Sequence, residues 1–486
     1  MIEPTPVTSS ERGGRRAGAI FAVTALGSFM AALDLSIVNV AFPDLAASYP
    51  EASRAALAWV ITAYAIVFGS LLVTGGRTAD RLGARRTFLG GIAIFLAGSV
   101  LCGMAPTLPV LIASRVLQGA GAALLLPSSL ALLIGAFPPE RRTQIVALWG
   151  GIGALAVATG PSLGAAIVSA GGWRWAFFVN VPVGLIVALV GRRVLAGSHG
   201  NRTGGRPDYF GAVMISTAMA ALVLALSEGP TWGWADWRII GALGAAALIG
   251  VAFVMRSRRH PEPVVDLSLF RQRSFVVANA ATFVYASGFF AMLLGNILFL
   301  TGVWEYSIMR AGLAVTPGPL VVALVAGPAG KLAGRIGFRP LLLAGATCFA
   351  GGLSWYVVRV GATPDYVAQW LPGTLIVGLG IGLTFPVLSA AAVSSLPPQR
   401  FGVGSAVNQT ARQIGGAIGI AVLVMILGDP QTAGDGVGRF DQLWAYAAAA
   451  ALLSGAIGAL IPGPARAPGR LDAPGAARTR VEAESG

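Results

Sequence analysis

The chain has 486 residues, of which 55% are apolar and only 11% charged, with a formal net charge of +14 and a mean hydropathy of +0.75. A soluble protein of this length needs far more polar surface, so much of this one is solvated by lipid. The basic excess does not mark a nucleic-acid binder, because the basic residues alternate with apolar runs instead of gathering on one soluble domain.

A membrane-spanning helix needs roughly 20 apolar residues. Fourteen stretches qualify: 17–41, 57–75, 86–104, 108–135, 143–169, 175–195, 208–228, 238–256, 275–300, 311–331, 340–360, 369–393, 403–427 and 442–462. The first is too long for a signal-peptide core and has no clear cleavage site, so it reads as a retained span. Residues 1–16 and 463–486 are polar and rich in Pro, Gly and Arg, the composition of disordered tails. With both tails on one side, that side holds 26 of the 34 basic residues. The opposite loops hold Arg54, Arg174, Arg238, Arg310, Arg359 and Arg439, and two more, Arg115 and Arg412, fall within spans. The basic side is therefore expected to be cytoplasmic. Trp232, Trp234 and Trp237 crowd one opposite loop and suit an outer interface.

The chain repeats itself. Gly75-Gly76-Arg77-Thr78-Ala79-Asp80-Arg81-Leu82-Gly83-Ala84-Arg85-Arg86 has a weaker copy in Gly330-Lys331-Leu332-Ala333-Gly334-Arg335-Ile336-Gly337-Phe338-Arg339. Gly119-Ala120-Gly121-Ala122-Ala123-Leu124-Leu125-Leu126-Pro127 parallels Gly378-Leu379-Gly380-Ile381-Gly382-Leu383-Thr384-Phe385-Pro386, and Phe137-Pro138-Pro139-Glu140-Arg141 parallels Leu396-Pro397-Pro398-Gln399-Arg400. Residues 17–195 thus form one six-helix bundle and 275–462 a second. The helices of 208–256 have no repeat partner and are inserted between the two. A parallel repeat of this kind implies rocking of two halves about a central cavity near the midplane.

Cys102 and Cys348 both lie in apolar spans and read as packing residues, and His199 and His260 lie in polar loops, so no disulfide or metal site is expected. No phosphate-binding loop for ATP is present. Asp34 is the carboxylate placed clearly inside a span. An intramembrane charge costs ~2.5–3.5 kcal/mol on insertion scales, so it points to a proton site, a cation site, or a permanent ion pair between helices. Arg115 falls at the same depth, ~10–12 Å from the outer surface at 1.5 Å per residue, which permits pairing. Gln118 shares its helix face, and Asn39 is placed to join the site or to make a simple interhelical bond. Gly160 and Pro161 remove a backbone donor and permit a kink or close packing. On the thirteenth span Asn408, Gln409 and Arg412 are polar, with Arg412 ~13 Å from the inner end, so it is placed either to line the cavity or to hold structure. Phe289, Phe290, Asn296 and Phe299 are candidates for an apolar lining.

Six motifs in order resemble the major facilitator superfamily, and within it the fourteen-span drug:proton antiporters of the EmrB/QacA type. They are the loop with Gly76, Asp80, Arg81, Gly83, Arg85 and Arg86, the first-span run Leu33-Asp34-Leu35-Ser36-Ile37-Val38-Asn39-Val40-Ala41-Phe42-Pro43, Arg115 to Ala123, Gly160-Pro161-Ser162-Leu163-Gly164-Ala165, Trp173 to Gly184, and the second-half copies. Thr78 and Ala84 depart from the loop signature. Ala147, Ala156 and Ala165 replace usual glycines of the fifth span, which weakens the antiport signature.

The resemblance implies a two-bundle fold with two extra central spans, in a bacterial inner membrane with both termini cytoplasmic. It implies an antiporter, not an enzyme, that needs no cofactor and works as a monomer on protons and lipophilic, often cationic, compounds. Asp80 and its arginines would clamp the halves at the inner mouth, and Gly160, Pro161 and Gly164 would seal the outer end against leak. A dedicated antibiotic or lipid exporter, and a proton symporter for uptake, are the alternatives of the same fold.

Overall fold

The computed structural model describes residues 9–52, 54–195, 208–261, 263–397, 400–427 and 436–462. The first half comprises α1 (Ser9–Val40), the short α2 (Phe42–Ser48), α3 (Arg54–Leu82), α4 (Ala84–Gly103), α5 (Leu108–Ala136), α6 (Pro139–Gly171), and α7 (Trp175–Phe178) running into α8 (Asn180–Val194). A hairpin follows, α9 (Tyr209–Trp232) and α10 (Trp237–Arg259). The second half comprises α11 (Arg273–Gly302), α12 (Ile308–Val315), α13 (Pro317–Ile336), α14 (Phe338–Arg359), α15 (Leu371–Ser394), α16 (Phe401–Leu427) and α17 (Gly436–Gly458).

Proline at the first or second position starts α5, α6, α13 and α15, where its missing N–H costs nothing. Asp208 and Asp236 cap the two hairpin helices by accepting from the N–H groups of Gly211 and Arg238. The helix α1 begins at Ser9, inside the stretch expected to be a disordered tail, while residues 1–8 and 463–486 lie outside the described residues.

Among the described residues twelve helices are long and apolar enough to cross a membrane. Two more long helices, α6 and α17, are not among those twelve, yet they pack inside the bundles: α6 against α1 and α13, α17 against α11 and α14. The fold is all-helical, with two bundles related by pseudo-twofold repeat and an inserted hairpin.

That repeat is visible in the backbone. Gly83 and Gly337 hold φ of 93° and 87° at the same turn of each half, a region where L side chains are strained. A Cβ on Gly121 would lie 2.4 Å from the Phe95 nitrogen, and one on Gly380 would lie 2.4 Å from the Phe349 nitrogen. So α4 against α5, and α14 against α15, touch backbone to backbone through glycines that the duplication kept in register.

The hairpin docks on the flank of α3. Thr74 and Ser216 hydroxyls meet at 3.0 Å, and Arg256 donates to Asp208 at 3.0 and 2.8 Å. Burial pushes the Asp208 carboxyl up, but the Gly211 N–H, Arg256 and His260 outweigh it and hold it below its usual range. The helix α10 buries little of itself in the protein, as a peripheral helix facing lipid would.

Replacing Gly121 or Gly380 by Val is expected to force these helix pairs apart. Each should cost at least the ~1–3 kcal/mol typical of overpacking. Thermal unfolding in detergent would show this as a lowered midpoint for both variants. Gly90→Val, where a Cβ meets nothing within 4 Å, should leave the midpoint unchanged.

Candidate functional site

The charged core of the first half is a closed network. Arg115 on α5 donates to Asp34 on α1 at 2.6 Å and to Gln118 at 2.7 Å. Gln118 donates to the other Asp34 oxygen at 2.8 Å, and Asn180, at the start of α8, donates to that oxygen at 3.0 Å. Gln118 and Asn180 both also donate to the Ser99 hydroxyl on α4, at 2.8 and 2.9 Å. The remaining Arg115 edge donates to the Val60 carbonyl on α3 at 2.9 Å, and its plane lies 4.1 Å from the Tyr64 ring centre. Asp34, Arg115, Gln118, Ser99 and Asn180 are all buried. Equal depth in the two spans thus does bring Asp34 and Arg115 together, and the charge of each is cancelled by the other.

The same place in the second half is nearly dry. The repeat sets Thr374 opposite Arg115 and Val377 opposite Gln118. Thr374 there shares a 2.8 Å hydrogen bond with Tyr356. Beside them, Asn296 accepts from Trp444 at 2.9 Å. Tyr356, Thr374, Val377 and Asn296 border a cavity of about 50 Å³ with Phe289 and Met292. A drug-sized ligand needs roughly 300–1,000 Å³, so this cavity is no substrate pocket as it stands.

A second site joins the halves at the basic end. The two Asp80 oxygens each accept a backbone N–H from the first turn of α16, Gly402 and Val403, both at 3.1 Å. The carboxylate thus caps the positive end of that helix dipole. Gly76 makes the approach possible, because a Cβ there would lie 2.5 Å from the Gly402 carbonyl oxygen. Arg85 ties α4 to the end of α8 through the Arg192 carbonyl at 2.7 Å. Arg86 is exposed, and Arg81 is half-buried. Next to the latch, Arg400 pairs with Asp266 at 2.8 Å. Burial raises the Asp266 carboxyl, but Ser268, Arg400 and Arg77 outweigh it and hold it below the usual range.

The other expected site residues divide. Gly160 and Gly164 are buried on α6, which continues as a helix through Pro161, whose side chain lies outside the described residues, as does that of Asn39. Asn408 lies between two helices. It is buried and donates to Asn279 at 3.2 Å and Thr282 at 3.0 Å, stapling α16 to α11. Phe299 is likewise core, stacked on Trp370 at 5.7 Å and packed on Trp444 at 5.1 Å. Arg412 instead lies over the Phe385 ring, 4.9 Å from its centre. Phe385 contacts Phe289 at 5.0 Å, which contacts Phe290 at 5.2 Å.

Three polar residues escaped the sequence reading. Ser99 stands alone in an apolar run, and Asn180 entered only as part of the Trp173 to Gly184 motif, with no role of its own. Glu228 looked like part of an outer loop, but α9 continues to Trp232, so Glu228 is buried on a helix and hydrogen-bonded to Thr62. A buried carboxylate on the inserted hairpin was legible only by letting the helix run past Pro230.

The Major Facilitator Superfamily model matches residues 24–420. The chain belongs to this superfamily. Among its relatives, Multidrug resistance protein Stp of Mycobacterium tuberculosis (strain ATCC 25618 / H37Rv) is 35% identical over 83% of this chain and 74% of that protein. Methylenomycin A resistance protein of Streptomyces coelicolor is 33% identical over 85% of this chain and 87% of that protein. The solved structure of the proton:xylose symporter XylE superposes with a TM-score of 0.62 at 15% identity, over 93% of this chain and 97% of that one. This facilitator is a multi-pass membrane transporter, not an enzyme, and the relatives support drug efflux.

Two outcomes follow from the site. Asp34→Asn leaves Arg115 buried without a counter-charge, which typically costs ~3–5 kcal/mol, while the double variant Asp34→Asn with Arg115→Gln removes both charges and should recover most of that loss. Unfolding midpoints of the wild type and both variants check this. Removing the Asp80 carboxylate by Asp80→Ala should favour opening of the basic end by ~1–2 kcal/mol, a shift of roughly 5–30-fold. A cysteine at Ala406, in a background with Cys102 and Cys348 changed to Ala, should then react correspondingly faster with a membrane-impermeant maleimide.

Proposed function

We propose that this protein is a proton-coupled exporter of lipophilic small molecules, of the fourteen-span antiporter type, in a bacterial inner membrane with the basic end in the cytoplasm. The reading takes α6 and α17 as the thirteenth and fourteenth crossings, because each lies along helices that are themselves long and apolar enough to span. The positive-inside rule sets the orientation. The names of the relatives, resistance to many drugs or to methylenomycin A, support export over uptake. XylE shares the fold and is a symporter, so the fold alone does not set the direction.

The observation that carries proton coupling is the Asp34 network. Every lone pair that Asp34 directs at its neighbours is engaged by a donor, Arg115, Gln118 or Asn180. A proton arriving on Asp34 would cancel its charge and free Arg115, so the packing of α1 against α5 and α8 would change with protonation. Arg115 would stay anchored by the Val60 carbonyl and the Tyr64 face. Asp80 and the start of α16 would form the cytoplasmic latch, closed as seen here, that must part when the inner mouth opens. The transporter would act as a monomer, with no cofactor beyond the proton gradient. The preference for cations expected from a free Asp34 loses its basis, because Arg115 already neutralises that charge.

Proton release from respiring inverted vesicles, on adding a panel of lipophilic drugs, tests the reading. Drug-triggered release is expected in the wild type and not in Asp34→Asn. Equal release in both would remove Asp34 from the proton path. No release with any compound in the wild type, alongside measured drug uptake, would overturn antiport itself.

A further inference from the structure

Arg412 is a cation that the fold leaves open. It lies eleven residues into α16, ~16 Å from the basic end at 1.5 Å per residue, near the middle of a ~30 Å hydrocarbon core. A cation at that depth is costly and calls for a partner. Among the described residues it makes no ion pair or hydrogen bond, and its one contact of note is the face of Phe385 at 4.9 Å.

The carboxylates on the helices packed against α16 do not reach it. Those helices are α3, α5, α9, α11, α15 and α17. Asp80 on α3 is bonded to Gly402 and Val403 in the first turn of α16, more than two helical turns away. Glu228 lies near the opposite end of α9, bonded to Thr62. Asp441 lies in the first turns of α17, also near that opposite end. The helices α5, α11 and α15 carry no carboxylate. Asp34 is committed to Arg115.

The setting is aromatic. Phe385, the ring beneath the guanidinium, is itself buried. Arg412 is surrounded by protein yet keeps accessible surface, as does the whole run 409–414 of α16. Gly416, one turn on, makes room for the Phe290 ring, since a Cβ there would lie 2.8 Å from that ring. Phe290 is partly exposed and continues the aromatic wall from Phe385 through Phe289. A planar guanidinium with free donors beside an aromatic wall matches one ligand class: a flat apolar body ending in a carboxylate, which takes two parallel N–H···O bonds from the fork while its rings stack on phenylalanine.

We propose that Arg412 with Phe385, Phe289 and Phe290 is a recognition site for lipophilic aromatic carboxylates, and that this transporter carries such acids in preference to cations. The inference deepens the export reading above and rests on it for the transport step, but binding stands separately. An acid entering this site cancels the open charge at the midplane. A lipophilic cation would add a second positive charge to it.

The probes are anthracene-9-carboxylate, its methyl ester, and an anthracenylmethyl trimethylammonium ion of similar shape. Their binding to the purified full-length protein is read by fluorescence, and their uptake in energised inverted vesicles is measured in parallel. The carboxylate is expected to bind at least ~10-fold more tightly than the ester, as one charge-assisted bidentate contact provides, and the cation least of all. Arg412→Gln should bring acid and ester level while ester binding stays unchanged. Arg412→Lys should restore part of the preference. A wild-type protein that binds the ester or the cation as well as the acid would overturn the proposal. So would an Arg412→Gln variant that loses all three probes together while its unfolding midpoint is intact, which marks a packing role. Acid binding without vesicle uptake of any probe would leave the site standing and count against the export reading instead.

Discussion

A carboxylate and a guanidinium can share a hydrocarbon interior only if each fills the other's hydrogen-bonding capacity, and the first half of this transporter is arranged around that requirement. Desolvating two ions costs several kcal/mol each, and their attraction offsets this only when the remaining lone pairs and protons also find partners. Here they do. Gln118 and Asn180 complete Asp34, Val60 and the Tyr64 face complete Arg115, and Ser99 accepts from both amides. Helices α1, α4 and α8 contribute one member each and α3 and α5 two each, so the network fixes their rotation as well as their depth. A closed set of this kind has no slack. On the proposed reading, one proton on Asp34 would unbalance it across all five helices.

The duplicated half shows what the scaffold does without an ion pair at that position. Its helices meet through the same glycines, with Gly380 against Phe349 as Gly121 is against Phe95. Yet Thr374 and Val377 stand where Arg115 and Gln118 stand in the first half, and a small cavity remains among aromatic side chains. Backbone contact between small residues therefore holds the fold, and the polar network is an addition to it. That separation explains how a duplicated bundle kept its shape while the two copies took up different chemistry.

Legibility in the sequence followed the same division. Period, length and the repeat registered almost every helix, because apolar runs and in-register glycines are written along the chain. Helix depth was also readable, since a rise of 1.5 Å per residue turns sequence position into height, and so Asp34 and Arg115 could be matched. Rotation was not readable. The run around Phe299 is almost wholly apolar and the run around Asn408 is polar on several faces, so neither marked which face meets a neighbour. Phe299 and Asn408 went to packing, while Arg412 turned toward Phe385. Asn180 and Ser99 were invisible for another reason. A single polar residue in an apolar run gains meaning only from what other helices bring to it. Glu228 was misplaced because Pro230 and the tryptophans after it read as a loop, whereas α9 accommodates that proline in its last turn.

The two halves thus divide the electrostatic work unequally. In the first half the charges face each other and sum to nothing, so this half can respond to a proton but presents little field to a ligand. In the second half one cation lies open beside aromatic rings at midplane depth. Between them, Asp80 of the first half holds the first turn of α16, the same helix that carries Arg412 eleven residues further on. Asp80 and Arg412 are thus joined through one continuous helix. On the reading proposed above, the gate and the ligand contact would lie on a single helix, and the proton-sensitive network on the bundle from which that helix must separate.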